Sequence, residues 1–401
     1  MNPPPAASPI AAPREASIQS VRTLRLPLDP LLTLAVIGLG ICSIVTLRAA
    51  TAKFVPGNPH YYVDRQAIYL VVGFVAMAAL ARIDYSGLRH LMYGIYAGLI
   101  VSILAVFALG HQTALGAQRA IEFPLFSFQA SELGKVLLIL ALSAFAVDRA
   151  RHLQEPATTV RVLLLGCVPA GLVIVQPDLG SGLVYLAITF MVLFVAGTSW
   201  RQLTALLALA LVFATVVLVA APAAGVHVLK PFQEERLTAF LHPSSNPQKQ
   251  GYQQEESKVA IGSGQKTGRG ANSTQITGNY VPEDDTDFIF AAVGEQYGFV
   301  GAALVLSLYA LLIWRTLAVL TMAKDLFGSL VAGGVVAMLM FQVFVNVGMA
   351  VGIMPITGVT LPLMSYGGSS VITTLLAIGL LQSIYVQASA SQAQKGRVFR
   401  Y

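Results

Sequence analysis

The chain has 401 residues, of which 56% are hydrophobic and only 11% charged, with a formal net charge of +6. Soluble domains carry roughly a quarter charged residues, so this composition excludes that class and points to an integral membrane protein. Cys42 and Cys167 both fall inside apolar runs, which excludes a disulfide framework or a zinc site, and the basic excess reads as membrane topology rather than a nucleic-acid footprint.

Residues 1–28 are rich in Pro, Ala and Ser and read as a disordered cytoplasmic tail. Ala49-Ala50-Thr51-Ala52 faintly resembles a cleavage site, but Arg48 beside it and the many spans that follow argue against a signal peptide. Ten apolar segments lie at roughly 31–47, 66–81, 91–109, 132–147, 162–176, 180–197, 203–221, 288–314, 326–354 and 369–388. Backbone groups in lipid must be satisfied within each segment, so the spans are helices. The ninth is long enough to contain a break, for which Gly348, Gly352 and Pro355 supply places.

An even number of spans puts both termini on one side, and basic residues choose the side. Arg82, Arg89, Arg149, Arg151, Arg161, Arg201, Arg315 and Lys324 gather with those of the two tails on one face. The short connections opposite hold only Arg48, Lys53, Arg65 and Arg119. The positive-inside rule therefore places both termini in the cytoplasm and the long loop, 222–287, outside. The expected fold is an all-α polytopic membrane protein of about ten transmembrane helices. The membrane domain covers 29–390, with one long extracytoplasmic loop before the eighth span and a short cytoplasmic tail at 391–401.

That loop carries Arg236, Glu256-Ser257-Lys258, Ala260-Ile261-Gly262-Ser263-Gly264 and Gly268-Arg269-Gly270. Gly-x-Gly segments let backbone amides approach an anion, so beside Arg236 and Lys258 they suggest a phosphate-handling surface. The loop ends in Glu283-Asp284-Asp285-Thr286-Asp287, four carboxylates directly before an apolar helix. Crowded acids raise one another's pKa, which suits a general base. Within the cluster, Asp287 reads either as such a base or as a cap or first-turn acid of the eighth span. Glu283, Asp284 and Asp285 read as a solvated edge, with a divalent cation (Mg or Mn) as a further use for them.

Ionisable residues inside spans are costly and so point to function. Glu132 and Lys135 share one helix face at the outer end of the fourth span, as a structural ion pair or as part of a substrate site. Asp178 stands in Gln176-Pro177-Asp178-Leu179-Gly180, an outer turn where turn chemistry and function both fit. Glu295 lies near the Asp287 face of its helix, supporting the site or bonding to a neighbouring helix. Finally, Pro355 to Ser370 is too apolar for a loop and too rich in Pro and Gly for a helix. It reads as a re-entrant floor beneath an outward-facing cavity.

Taken together, Gln-Pro-Asp-Leu-Gly at 176–180, Ala-Ile-Gly-Ser-Gly at 260–264, Thr-Asp-Phe-Ile-Phe-Ala at 286–291, Asn346-x-Gly348-Met349 and the Pro355–Ser370 segment resemble the SEDS family, which contains RodA, FtsW and SpoVE. The likeness covers about residues 30–390 and is most like a divergent RodA-type member. It implies a peptidoglycan glycosyltransferase that polymerises lipid II at the outer face of the bacterial cytoplasmic membrane, partnered by a class B penicillin-binding protein transpeptidase. Making a β-1,4 bond from an α-linked donor implies inversion and a single base. The family's catalytic aspartate carries over to Asp287, and its fourth-span Glu and Lys to Glu132 and Lys135. Residues expected at the substrate are Arg119, Glu132, Lys135, Asp178, Arg236, Ser257, Lys258, Thr357, Ser365 and Tyr366. The departures are Ala130 for the usual Pro, Ala120 for Trp, Asp285 for His, Glu256 for Gln and Gln265 for Gly. Two further readings stay open: a flippase for lipid-linked precursors, and a non-catalytic scaffold for cell-wall synthesis.

Overall fold

The computed structural model describes residues 28–51, 58–110, 120–122, 127–217, 250–270, 273–276, 278, 280, 283 and 285–398. Among these residues it is helical apart from one two-stranded hairpin, Ile121–Glu122 (β1) and Ser127–Phe128 (β2). The helices are α1 (Pro30–Ala50), α2 (Tyr61–Leu80), α3 (Met92–Leu109), α4 (Ala130–Asp148), α5 (Pro156–Val175), α6 (Leu179–Val195), α7 (Trp200–Thr215), α8 (Gln250–Ser263), α9 (Ile289–Met322), α10 (Leu326–Ala350) and α11 (Gly368–Val398). Among the described residues eight stretches are long and apolar enough to cross a membrane, and α6 and α7 are shorter apolar helices. The protein is thus a polytopic helical membrane protein.

Burial separates the centre from the lipid-facing periphery. In α4, 83% of the span is buried, and 72% in both α10 and α11, against 22% in the span ending with α3. The central helix α4 packs on α3, α6, α10 and α11. Its small residues permit this. A Cβ added at Gly134 would lie 1.9 Å from the Tyr185 hydroxyl of α6, and one at Gly334 of α10 would lie 2.8 Å from Ile139.

The helix ends follow local chemistry. Asp29 caps α1 by accepting from the N–H groups of Leu31 and Leu32, and Pro30 opens the helix, where no N–H is needed. Asp29 is fully buried and also accepts from Arg315 Nε of α9 at 2.9 Å, while its N–H donates to Gln382 of α11 at 2.8 Å. This ties three helices at one end of the bundle. It also lengthens an expected element: the helix carrying the eighth apolar segment continues past Arg315 to Met322, with Arg315 paired to Asp29 at the start of α1.

Two other expectations change. The break expected inside the ninth span is its end, since α10 stops at Ala350 and Gly352 follows with φ 84°. The long loop contains α8, a polar helix packed on α9 and α10. Gln254 of α8 donates to the carbonyls of Met349 and Met354, at 3.1 and 2.8 Å, and Ser257 to that of Ala350 at 2.8 Å. A helix C-terminus leaves carbonyls unsatisfied, and α8 is the cap that supplies donors to α10.

Candidate active site

Asp287 lies in a turn one residue before Phe288, the N-cap of α9. Phe288 is itself the N-cap residue and its side chain makes no capping bond. The turn is tight. Glu283 takes φ 60°, in the left-handed region, and the N–H groups of Thr286 and Phe288 both donate to its carbonyl. The Thr286 hydroxyl donates to Glu283 Oε2 at 2.9 Å.

Three successive carbonyls of this turn are held from outside it. The N–H of Tyr366 donates to Asp285 O at 2.8 Å, the hydroxyl of Ser365 to Thr286 O at 2.6 Å, and the Asn346 amide to Asp287 O at 2.8 Å. Ser365 and Tyr366 belong to the expected re-entrant segment, which is irregular from Val351 to Gly367. Its Ile356, Val359, Leu361, Leu363, Met364 and Ser365 are buried. Irregular backbone at that depth needs donors from elsewhere. Ser43 of α1 supplies one to Met364 O at 2.8 Å, Gln66 of α2 one to Ser365 O at 3.2 Å, and Asn346 of α10 one to Val359 O at 2.8 Å. Tyr366 also packs edge-on against Tyr62, with ring centroids 4.8 Å apart, beside Arg65 stacked 4.5 Å over Tyr61.

Asp285 departs from the solvated edge expected of it. It is half-buried, and burial first, then the Glu283 carboxylate, push it up to about 6, its own backbone N–H pulling the other way. Glu283 is exposed, as expected, and Asp284 lies outside the described residues. A carboxyl raised from 3.8 to about 6 binds protons more readily folded than unfolded, so stability falls as pH rises between those values. Asp285→Asn, which cannot ionise, should therefore melt above wild type at about pH 7.5 and level with it near pH 4. Equal melting temperatures at both pH values would remove the argument.

A second group gathers at the head of α4. Lys135 Nζ lies 2.6 Å from Glu132 Oε1, with side chains 2% and 6% exposed. On the next residue, the Ser131 hydroxyl donates to Asp178 Oδ2 at 2.8 Å, and Gln129 Nε2 to the same oxygen at 3.2 Å. Asp178 Oδ1 accepts the Ser181 N–H at 3.0 Å and so caps α6. The structure thus brings Glu132, Lys135 and Asp178 to one buried seam between α4 and α6, where Asp178 works as a turn and cap residue.

The Gly-rich stretch interlocks with a kink in α9. Gly298 there has φ 62° and ψ −158°, which breaks the helical ladder. The freed N–H groups of Phe299 and Val300 donate to Gln265 O and Lys266 O, and Arg269 N donates to Glu295 O. Gly264 and Gly268 are glycines because any Cβ would strike α9, at 1.9 Å from Gly294 O and 2.2 Å from Gln296 O. The amides of Gly264, Gln265, Gly268 and Arg269 all donate to backbone carbonyls, so the expected anion cradle is instead a helix–loop joint. Glu295, fully buried, accepts the N–H groups of Thr274, Gln275 and Ile276 and anchors the same loop rather than a neighbouring helix. Gly264→Ala should destabilise the protein by about 1–3 kcal/mol through this clash, read as a lower melting temperature in detergent, whereas an unchanged value would deny the close approach.

The remaining expected contacts are scattered. Ser257 is fully buried on Ala350 O. Lys258 is partly exposed, paired with Glu255 at 2.6 Å, its stem lying over Gly352. Thr357 is buried, its carbonyl against Gly180 at the head of α6. Arg119 and Arg236 lie outside the described residues. Among the described residues no three His, Cys, Asp or Glu side chains are grouped to hold a metal ion. Sequence reading placed Asn346 in a motif without a role; a lone buried asparagine gives no sign of which carbonyls it will meet.

The family model described as cell cycle protein, FtsW/RodA/SpoVE, matches residues 28–390. The chain belongs to this family. It is 36% identical over 364 residues to the peptidoglycan glycosyltransferase MrdB of Escherichia coli (strain K12), covering 89% of this chain and 93% of that one. It is 35% identical over 386 residues to the probable peptidoglycan glycosyltransferase FtsW of Thioalkalivibrio sulfidiphilus, covering 94% of each. Among solved structures it resembles a chain of a peptidoglycan synthase complex that coordinates polymerization and crosslinking, with TM-score 0.74 and 32% identity over 90% of this chain and 99% of that one. It also resembles the rod shape determining protein RodA of Thermus thermophilus, with TM-score 0.64 and 30% identity over 90% and 97% of the two chains. The FtsW/RodA/SpoVE match spans every helix from α1 to α10 and most of α11.

Proposed function

We propose that this protein is a peptidoglycan glycosyltransferase that polymerises lipid II at the outer face of the bacterial cytoplasmic membrane, with Asp287 as general base. The enzyme class rests on relatives of that name matched over nine-tenths of the chain. The observation that carries the site is the turn bearing Asp287, whose three carbonyls are each held by a separate donor. A base must be positioned before its pKa matters, and a held turn at a helix head supplies position.

In this reading the chain crosses the membrane ten times, both termini lie in the cytoplasm, and the 222–287 region with α8 lies outside. The basic bias of the short connections supports that orientation. Asp287 takes the proton of the acceptor's sugar hydroxyl as that oxygen attacks the anomeric carbon of the donor, inverting it and releasing lipid pyrophosphate. The departing anion needs positive charge. Of the cations considered for that task, Lys258 is partly exposed on α8, while Lys135 is enclosed with Glu132. A divalent cation (Mg or Mn) beside the acidic run would help neutralise that anion, and no step is routed through it. A class B penicillin-binding protein fits as partner, since a matched structure comes from a complex coordinating polymerization with crosslinking.

Purified protein with its transpeptidase partner, given lipid II, should produce a ladder of glycan strands on a gel. No ladder from folded protein in a confirmed complex would overturn the enzymatic reading in favour of scaffold or transporter.

A further inference from the structure

Asn346 is fully buried on α10, and its Nδ2 donates both to Asp287 O and to Val359 O, each at 2.8 Å. One amide thus joins three parts of the molecule distant in sequence: a core helix, the turn carrying the candidate base, and the irregular 351–367 segment. The partner bonds differ in kind. Tyr366 grips Asp285 O through its backbone, which substitution leaves in place, and Ser365 grips Thr286 O while accepting the Leu361 N–H at 2.8 Å. Asn346 holds the carbonyl of Asp287 itself. Asp287 lies outside the helical ladder of α9, so the direction of its Cα–Cβ bond depends on how its peptide plane is fixed.

Resting on the proposed role of Asp287, we propose that Asn346 is a positioning residue for glycosyl transfer. It orients the Asp287 carboxylate by holding that residue's carbonyl, and through Val359 it makes that orientation depend on the seating of the irregular segment. The helix bearing it needs neither bond for its own stability, because α10 is packed on α4, α6, α9 and α11 along its length. Asn346 has its two amide hydrogens directed away from its own helix, onto the two pieces that must stay in register. A carboxylate at this position would face both carbonyls with oxygen instead of N–H, turning two attractions into repulsions.

The test uses full-length protein in lipid vesicles with its transpeptidase partner, lipid II as probe, and the variants Asn346→Leu, Asn346→Asp and Asn346→Gln. Leu keeps the volume and loses the donors; Gln keeps donors on a longer stem. Amide hydrogen exchange of the 285–290 peptide should speed up in Leu and Asp. Their kcat should fall about 100-fold with KM for lipid II within about twofold, the pattern of a misplaced catalytic group. Gln should recover at least about tenfold of that loss, with melting temperatures of all variants within about 3 °C of wild type. Unchanged exchange in Leu and Asp would overturn the proposal, as would an activity loss that tracks the melting temperature. Faster exchange with wild-type kcat would also overturn it. In that last case Asp287→Ala decides what failed: an inactive Asp287→Ala leaves the base assignment standing without a need for Asn346, whereas an active one removes the base assignment itself.

Discussion

Asp287→Ala should abolish lipid II polymerisation while leaving the protein folded, inserted and able to bind its partner. General-base catalysis contributes about 10²–10⁴-fold, so residual turnover should fall by at least that much. Asp287→Asn should do the same, because the amide keeps the shape and cannot take a proton. Asp287→Glu should fall between, since the extra methylene moves the carboxylate about 1 Å and misplacement on that scale costs about 100-fold. The fold should tolerate all three, because the turn is held through the carbonyls of Asp285, Thr286 and Asp287, which all three substitutions leave in place. Normal strand synthesis by Asp287→Ala would move the base to another residue, and Asp285, two positions earlier with its carboxyl pushed up to about 6, would be the next to examine.

The Glu132–Lys135 pair should show the second large effect, on stability. Both side chains are nearly inaccessible, so removing one partner strands a charge in a low-dielectric core. Lys135→Ala or Glu132→Ala should each cost about 3–5 kcal/mol, measured by thermal unfolding or loss of folded yield. The double variant Glu132→Gln with Lys135→Met removes both charges and keeps the volume. It should recover most of that stability, because two desolvated charges are replaced by neutral groups. Its polymerisation activity then separates the two roles. A stable but inactive double variant gives the pair a part in the reaction, and a stable, active one leaves it as a pin at the head of α4.

The class of this protein and most of its helices were legible without coordinates, because a bilayer constrains composition and length strongly. Long-range charge pairing was not legible: Asp29 and Arg315, 286 residues apart, meet at one end of the bundle. Glycine had more than one meaning. Gly264 and Gly268 read as an anion cradle, and became a joint once α9 was known to bend at Gly298 and to offer its broken ladder to that loop. The acidic run was legible as an unusual charge density, but not its division into an exposed Glu283 and a half-buried Asp285, since burial depends on what covers the turn.

By itself, then, the amino-acid sequence determined a polytopic helical protein and its family likeness, and singled out the proposed base, because apolar run length, charge placement and local motifs are properties of neighbours along the chain. Tertiary structure alone decided what holds that base. The donors to the carbonyls of Asp285, Thr286 and Asp287 come from positions 346, 365 and 366, some 60 to 80 residues away. A hydrogen bond depends on distance and direction in space, and no local pattern encodes which carbonyl a buried asparagine will meet.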